Sequence, residues 1–257
     1  MPDFVSFDGT RISYEMRGDG TPVVLLHGFA STAAINFDRP GLVDAVLDAG
    51  FSTVAPDMRG HGRSDKPHEP PRYEGSAMTR DVVGLLDELH VERCHLVGYS
   101  MGAFVTVSVL ASDPRPASGV LCGVGENVLR PADRSSHEAI ADALEAPDPR
   151  AITNRHAKGF RDFADLTGAD REALAAMSRS RRDERYEVPD LQAIKTPVLV
   201  VVGDRDDLAG SPQGLADRLP DGRAEVVGGT HLNAVNNPAF HRAVVGFLRD
   251  QEGRAHG

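Results

Sequence analysis

The sequence predicts an α/β domain: a mostly parallel, twisted sheet of about eight strands, helices on both faces and a small helical insertion. Three observations carry this reading. Short apolar runs, several of them β-branched, recur along the chain; amphipathic helical stretches separate them; and the alternation breaks once, between about 126 and 188.

In chain order, residues 3–7 and 10–16 alternate polar and apolar around Asp8-Gly9, a turn dipeptide, and read as an antiparallel hairpin. The runs Val23 to Leu26, Ser52 to Ala55, Cys94 to Val97, Val120 to Cys122 and Val198 to Val202 are continuous rather than alternating, as strands buried on both faces must be. Helices are expected at about 41–49, 76–90, 101–112, 212–219 and 238–250. Met78, Val82, Leu85, Leu86 and Leu89 make one apolar face of the second. Between 126 and 188 the chain is rich in Arg, Asp, Ala and Glu, holds Pro147-Asp148-Pro149, and has helical periodicity without an apolar strand. The expected organisation is a core of residues 1–125 and 189–257, with 126–188 a helical cap inserted after the sixth strand. Gln251 to Gly257 read as a frayed tail.

With 257 residues the chain can bury one large core. A formal net charge of −10 disfavours nucleic acid and anionic membrane as partners, because phosphate binding needs a positive field. The opening MPDFVSFDGT lacks a cationic start and an apolar core, and no stretch reaches the ~18 apolar residues of a membrane span, so a cytoplasmic protein is expected. Cys94 and Cys122 each sit in an apolar run and read as buried structural thiols. No His, Cys and carboxylate cluster has metal-ligand spacing, and Gly18-Asp19-Gly20 reads as a turn, so neither metal nor organic cofactor is implied. A small molecule is the expected partner; the oligomeric state stays open.

Gly98-Tyr99-Ser100-Met101-Gly102 follows the run Leu96-Val97 and precedes a helical stretch, which is the G-x-S-x-G form between strand and helix. The spacing has a mechanical reason. The serine occupies a strained turn, so the residues two before and two after must let strand and helix approach closely.

Three motifs occur in order: Leu25-Leu26-His27-Gly28-Phe29, Asp57-Met58-Arg59-Gly60-His61-Gly62-Arg63-Ser64-Asp65, and Gly98-Tyr99-Ser100-Met101-Gly102. As a set they resemble the α/β-hydrolase superfamily, in the branch of small capped esterases, lactonases, C–C hydrolases and cofactor-free perhydrolases. The resemblance covers roughly 1–125 and 190–257 and implies a Ser-His-Asp triad. It places the acid after Val198 to Val202, in Gly203-Asp204-Arg205-Asp206, where the pattern G-x-x-D points to Asp206. It places the base in Gly228-Gly229-Thr230-His231. Asp204 and Asp207 flank the favoured acid, and the sequence leaves that register open. A serine hydroxyl becomes a competent nucleophile when a neutral imidazole takes its proton and a carboxylate fixes the imidazole tautomer. The implied oxyanion donors are the backbone N–H groups of Met101 and Phe29.

Among ten histidines, His27 and His61 read as loop organisers, His95 as a strand residue and His241 as a helix-face residue. Asp57 reads as a turn organiser. Substrate contacts are expected from Phe29, Tyr99, Phe160 and Phe163, with Phe160, Phe163 and Met177 of the cap setting selectivity. The run Arg179 to Arg185 alternates sign as a solvated helix face does. The expected reaction is hydrolysis of a small-molecule carboxylic ester, lactone or thioester through an acyl-enzyme. Alternatives are a C–C bond hydrolase or perhydrolase with the same triad, and a ligand receptor on the same scaffold. Epoxide hydrolases and haloalkane dehalogenases resemble the chain around Asp57 to Asp65 but carry Asp where this chain has Ser100.

Overall fold

The computed structural model describes residues 2–129, 134–180 and 190–255. Eight strands form one sheet: β1 (Asp3–Val5), β2 (Arg11–Arg17), β3 (Pro22–Leu26), β4 (Ser52–Pro56), β5 (Cys94–Tyr99), β6 (Pro116–Cys122), β7 (Val198–Gly203) and β8 (Gly222–Val227), in the order β1-β2-β4-β3-β5-β6-β7-β8. The β1–β2 and β2–β4 pairs are antiparallel and all others parallel.

The continuous apolar runs follow from two covered faces. Successive side chains of a strand point to opposite sides. Val24, Leu26, Leu96, Leu121 and Val200 therefore pack with α2 (Ala77–Glu88) and α3 (Met101–Ser112), through Val82, Leu85, Leu86, Val107 and Leu110. Their neighbours Val23, Leu25, Val97, Val120, Leu199 and Val201 pack with α1 (Leu42–Asp48) and with the helix closing the chain, through Val43, Val46, Phe240, Val244, Phe247 and Leu248. Each such side chain contributes roughly 1.5–3 kcal/mol of transfer free energy.

Between β6 and β7 the described residues form three α-helices, α4 (Arg134–Glu145), α5 (Arg155–Thr167) and α6 (Arg171–Ser180). They share a small core of Ile140, Ala141, Leu144, Ala157, Ala164, Leu174 and Ala175, which also buries Ala30 and packs against Phe29 of the loop after β3. The insertion is thus seated on that loop. Arg179 ties α6 back to α4 by pairing with Glu145 and, at 3.2 Å, with Asp142. The remainder of its charged run, Arg181 to Arg185, lies outside the described residues.

Two elements differ from expectation. The helix expected at 212–219 is the short α7 (Pro212–Ala216), and the one at 238–250 extends as α8 (Pro238–Ala255). Val226 of β8 is 58% exposed, because this strand is the sheet edge, and its run Gly222 to Val227 carries too few apolar residues to stand out. No described helix is long and apolar enough to cross a membrane. Both cysteines are free and buried, and burial pushes the Cys94 thiol up to about 12.

Arg59 has a fully buried side chain. Its guanidinium donates to Asp81 at 2.6 Å through two nitrogens and to Asp8 at 3.0 Å, joining the loop after β4 to α2 and to the β1–β2 turn. Burial acts to raise the Asp8 pKa, but the bonds from Arg59 and Thr10 outweigh it and hold the carboxyl at about 2. Loss of one member of such a network leaves an unpaired buried charge.

Candidate active site

The site stands at the carboxyl ends of β3, β5, β7 and β8. Ser100 links β5 directly to α3 with φ of 51°, a left-handed conformation rare outside glycine, and its N–H donates to Cys122 O at 2.8 Å. The two motif glycines make this turn possible. A Cβ on Gly98 would collide with the Gly102 carbonyl and the Thr106 hydroxyl, and one on Gly102 would collide with the Leu26 carbonyl.

His231 follows β8 on a loop held to the end of β7. Gly229 N–H donates to Asp204 Oδ1 at 2.8 Å, and Arg205 N–H donates to Gly229 O at 2.9 Å. This brings His231 Nε2 to 3.1 Å from Ser100 Oγ and Nδ1 to 2.9 Å from Asp206 Oδ2. The Asp206 carboxylate is buried, and its Oδ1 accepts the N–H groups of Leu208 and Ala209 at 3.0 and 3.1 Å. Asp204 is committed to Gly229, while Asp207 lines the cavity wall. Tyr99 lines the same cavity, and its hydroxyl donates to the His231 carbonyl at 2.8 Å, so it also holds the imidazole loop.

The loop after β3 is fixed from below. Gly28 N–H donates to Asn36 Oδ1 at 2.8 Å and Ala30 N–H to His61 Nε2 at 3.1 Å. The N–H groups of Phe29, between them, and of Met101 have no acceptor among the described residues. Asn36 belongs to a π-helical turn, Ala34–Asp38, that no sequence pattern advertises. His27 Nδ1 donates to Gly28 O at 2.8 Å while Nε2 accepts Met58 N–H at 2.9 Å; His61 Nδ1 donates to Arg59 O at 3.0 Å. Each ring therefore accepts at Nε2 and is held neutral. Asp57 accepts from Ala33 and Arg63 N–H, both at 3.0 Å. His95 bonds Ser118 of β6 and Glu252 of α8, and His241 donates to Val235 O; neither bonds Ser100.

Burial lowers the pKa of His27; burial and the neighbouring His27 ring lower that of His61 to about 3. The unfolded chain binds the His61 proton near pH 6.5 and the folded chain does not, so this contribution is complete above that pH and is lost as pH falls from it towards 3. The unfolding free energy from urea titrations should therefore hold level from pH 8 to 7 and fall below 6.5, by up to about 1.4 kcal/mol per pH unit for His61. His61→Gln should flatten the slope. An unchanged slope in that variant would remove His61 as its source.

A cavity of about 510 Å³ opens over Ser100, walled by Phe29, Ile35, Tyr99, Phe160 and Phe163. Phe160 meets Phe29 edge to face at 5.6 Å. Met177, expected among the selectivity residues, does not line the cavity. It is 1% exposed and packs under the Gly60 turn near Tyr73. Conversely, Arg155 and His156 of α5, which nothing in the sequence singled out, do line it.

Comparison with known proteins agrees with this architecture. The model of the α/β hydrolase fold family matches residues 21–146. A Variovorax paradoxus protein provisionally named carbamate hydrolase RutD is 32% identical, over 92% of this chain and 96% of its own. Epoxide hydrolase A of Mycobacterium tuberculosis is 39% identical, over 39% of this chain and 31% of that enzyme. The enol-lactonase of Burkholderia xenovorans LB400 superposes with a TM-score of 0.78 at 24% identity, covering 96% of this chain and 100% of that one. The eight-stranded fold, the motif order and a full-length relative at this identity together establish that the chain belongs to the α/β-hydrolase family.

Proposed function

We propose that the chain is a serine hydrolase of small-molecule carboxylic esters, lactones or thioesters, working through an acyl-enzyme. The observation that carries this is the continuous line Ser100 Oγ, His231 Nε2, His231 Nδ1 and Asp206 Oδ2, with spacings of 3.1 and 2.9 Å. Ser100 Oγ attacks the carbonyl carbon as its proton passes to Nε2. The oxyanion forms between the unpaired N–H groups of Phe29 and Met101. On collapse, Nε2 gives the proton to the departing alkoxide or thiolate, which leaves as alcohol or thiol. Water then gives a proton to Nε2 and attacks the ester carbonyl, and on collapse Nε2 returns that proton to Ser100 Oγ as the acid is released.

The named relatives are compatible with this chemistry, since carbamates and lactones both present an electrophilic carbonyl carbon. Ser100, in place of a carboxylate, separates the chain from the epoxide-opening reaction of its partial relative. In this reading the three insertion helices form a cap over the acyl pocket, and Phe29, Tyr99, Phe160 and Phe163 contact substrate.

A serine-directed phosphonate should label Ser100 with one equivalent, and Ser100→Ala should reduce turnover of an aryl ester by at least about 10³. Peptide mass spectrometry identifies the labelled residue. Labelling elsewhere, or full activity in the alanine variant, would refute the nucleophile. Release of one equivalent of phenol followed by a stall would favour a ligand receptor on this scaffold over an enzyme.

A further inference from the structure

The cavity is lined largely by apolar and aromatic side chains, but its wall also holds a cation, Arg155. Arg155 and His156 form the first turn of α5, and both line the cavity while remaining exposed. Among the described residues Arg155 has no carboxylate within 4.0 Å, whereas Arg150, Arg161 and Arg179 of the same insertion are all paired. The position is also unfavourable for the helix itself. A first helical turn carries a partial positive charge and prefers acids, yet this one has none. Asn154 caps it by accepting Ala157 N–H at 3.0 Å, so the helix end needs no help from Arg155.

An aromatic wall runs from this turn to the proposed oxyanion site. The His156 ring meets Phe160 edge to face at 5.1 Å, and Phe160 meets Phe29 at 5.6 Å. A molecule with its carbonyl at Ser100 and a chain along Phe29 and Phe160 would bring its far end to Arg155. The acid of the cavity, Asp207, lies on the loop of Asp206 and forms no ion pair with Arg155 within 4.0 Å.

We infer that the substrate carries a carboxylate remote from its scissile carbonyl and that Arg155 binds it. This rests on the esterase reading above and names the substrate class of that same site. The planar guanidinium matches a carboxylate through two parallel, charge-assisted N–H bonds. His156 adds a ring N–H donor beside it.

The test compares aryl half-esters of dicarboxylic acids, graded in chain length, with the same compounds methylated at the distal carboxylate. For chains long enough to reach α5, the wild type should prefer the anion by about tenfold in kcat/KM, mainly through KM. Arg155→Gln should remove the preference while leaving the neutral diester within about twofold, and Asp207→Asn should not reduce it. Equal use of anion and diester at every length, or an equal loss of both in Arg155→Gln, would overturn the inference. Binding separates this from failure of the esterase reading. In Ser100→Ala protein, calorimetry should show tighter binding of the half-ester than of the diester, and Arg155→Gln should abolish the difference. A difference seen in binding with no turnover in the wild type would refute the esterase reading and keep the anion site. Turnover without a difference would do the reverse.

Discussion

Asp206→Asn is expected to lower kcat by about 10⁴ while leaving the fold intact, and the structure gives the reason the loss should be nearly complete. In a serine protease triad the same change is worth on the order of 10⁴, because the amide stabilises the wrong imidazole tautomer. Here the amide cannot choose its orientation. Oδ1 of Asp206 accepts two backbone N–H groups, from Leu208 and Ala209. An asparagine oxygen must occupy that place, which turns its NH₂ towards His231 Nδ1. The imidazole then accepts at Nδ1 and carries its proton on Nε2, facing Ser100, where it cannot take the hydroxyl proton. Neither neighbour offers rescue, since Asp204 is engaged with Gly229 N–H and Asp207 makes no bond to the ring. Asp204→Asn should cost stability more than rate, and Asp207→Asn little of either. The three kcat values for one aryl ester, each variant checked by circular dichroism, decide the matter. If Asp204→Asn proves the most damaging, the acid is misassigned.

Much of this was legible from residue types, for identifiable reasons. Strands covered on two faces must be apolar at every position, so Val23 to Leu26 and Val198 to Val202 announce themselves. The turn at Ser100 is legible because its close contacts admit only glycine at 98 and 102. The resemblance supplied Asp206, and the hydrogen bond to His231 distinguishes it from Asp204 in space, where sequence spacing does not. Features set by tertiary contact alone stayed hidden. The π-helical turn at Ala34–Asp38 exists to bring Asn36 under Gly28 and leaves no periodic trace. Met177 looked like a cavity residue because only its helix was visible; its direction is set by packing near Tyr73. Arg155 was hidden among many surface charges, yet a signal existed: a helix opening at Asn154 with cations and no acid in its first turn.

Gly102→Ala should be the most damaging single-methyl addition in the described chain outside the triad. The new Cβ would point at the end of β3, overlapping the carbonyl oxygen and carbon of Leu26 and lying 2.8 Å from the oxygen of His27. All three are backbone atoms, so no side chain can rotate away. Either α3 lifts from β3 or β3 withdraws from β5, to which Leu26 is paired at Gly98. Overpacking a core usually costs about 1–3 kcal/mol, and a collision with rigid backbone belongs at or above the top of that range. For a chain of this size each kcal/mol moves Tm by roughly 2–4 °C, so a drop of about 10 °C or more is expected. The same shift displaces Met101 N–H, next in the chain, so any folded fraction should also lose kcat. Gly246→Ala is the matched control. Gly246 lies exposed inside α8 with nothing within 4 Å of an added Cβ, and alanine there should stabilise by about 0.5–1 kcal/mol through helix propensity. Two identical chemical changes should thus move Tm in opposite directions by thermal unfolding. A Gly102→Ala protein with wild-type Tm and kcat would show that the approach of α3 to β3 is looser than these contacts require.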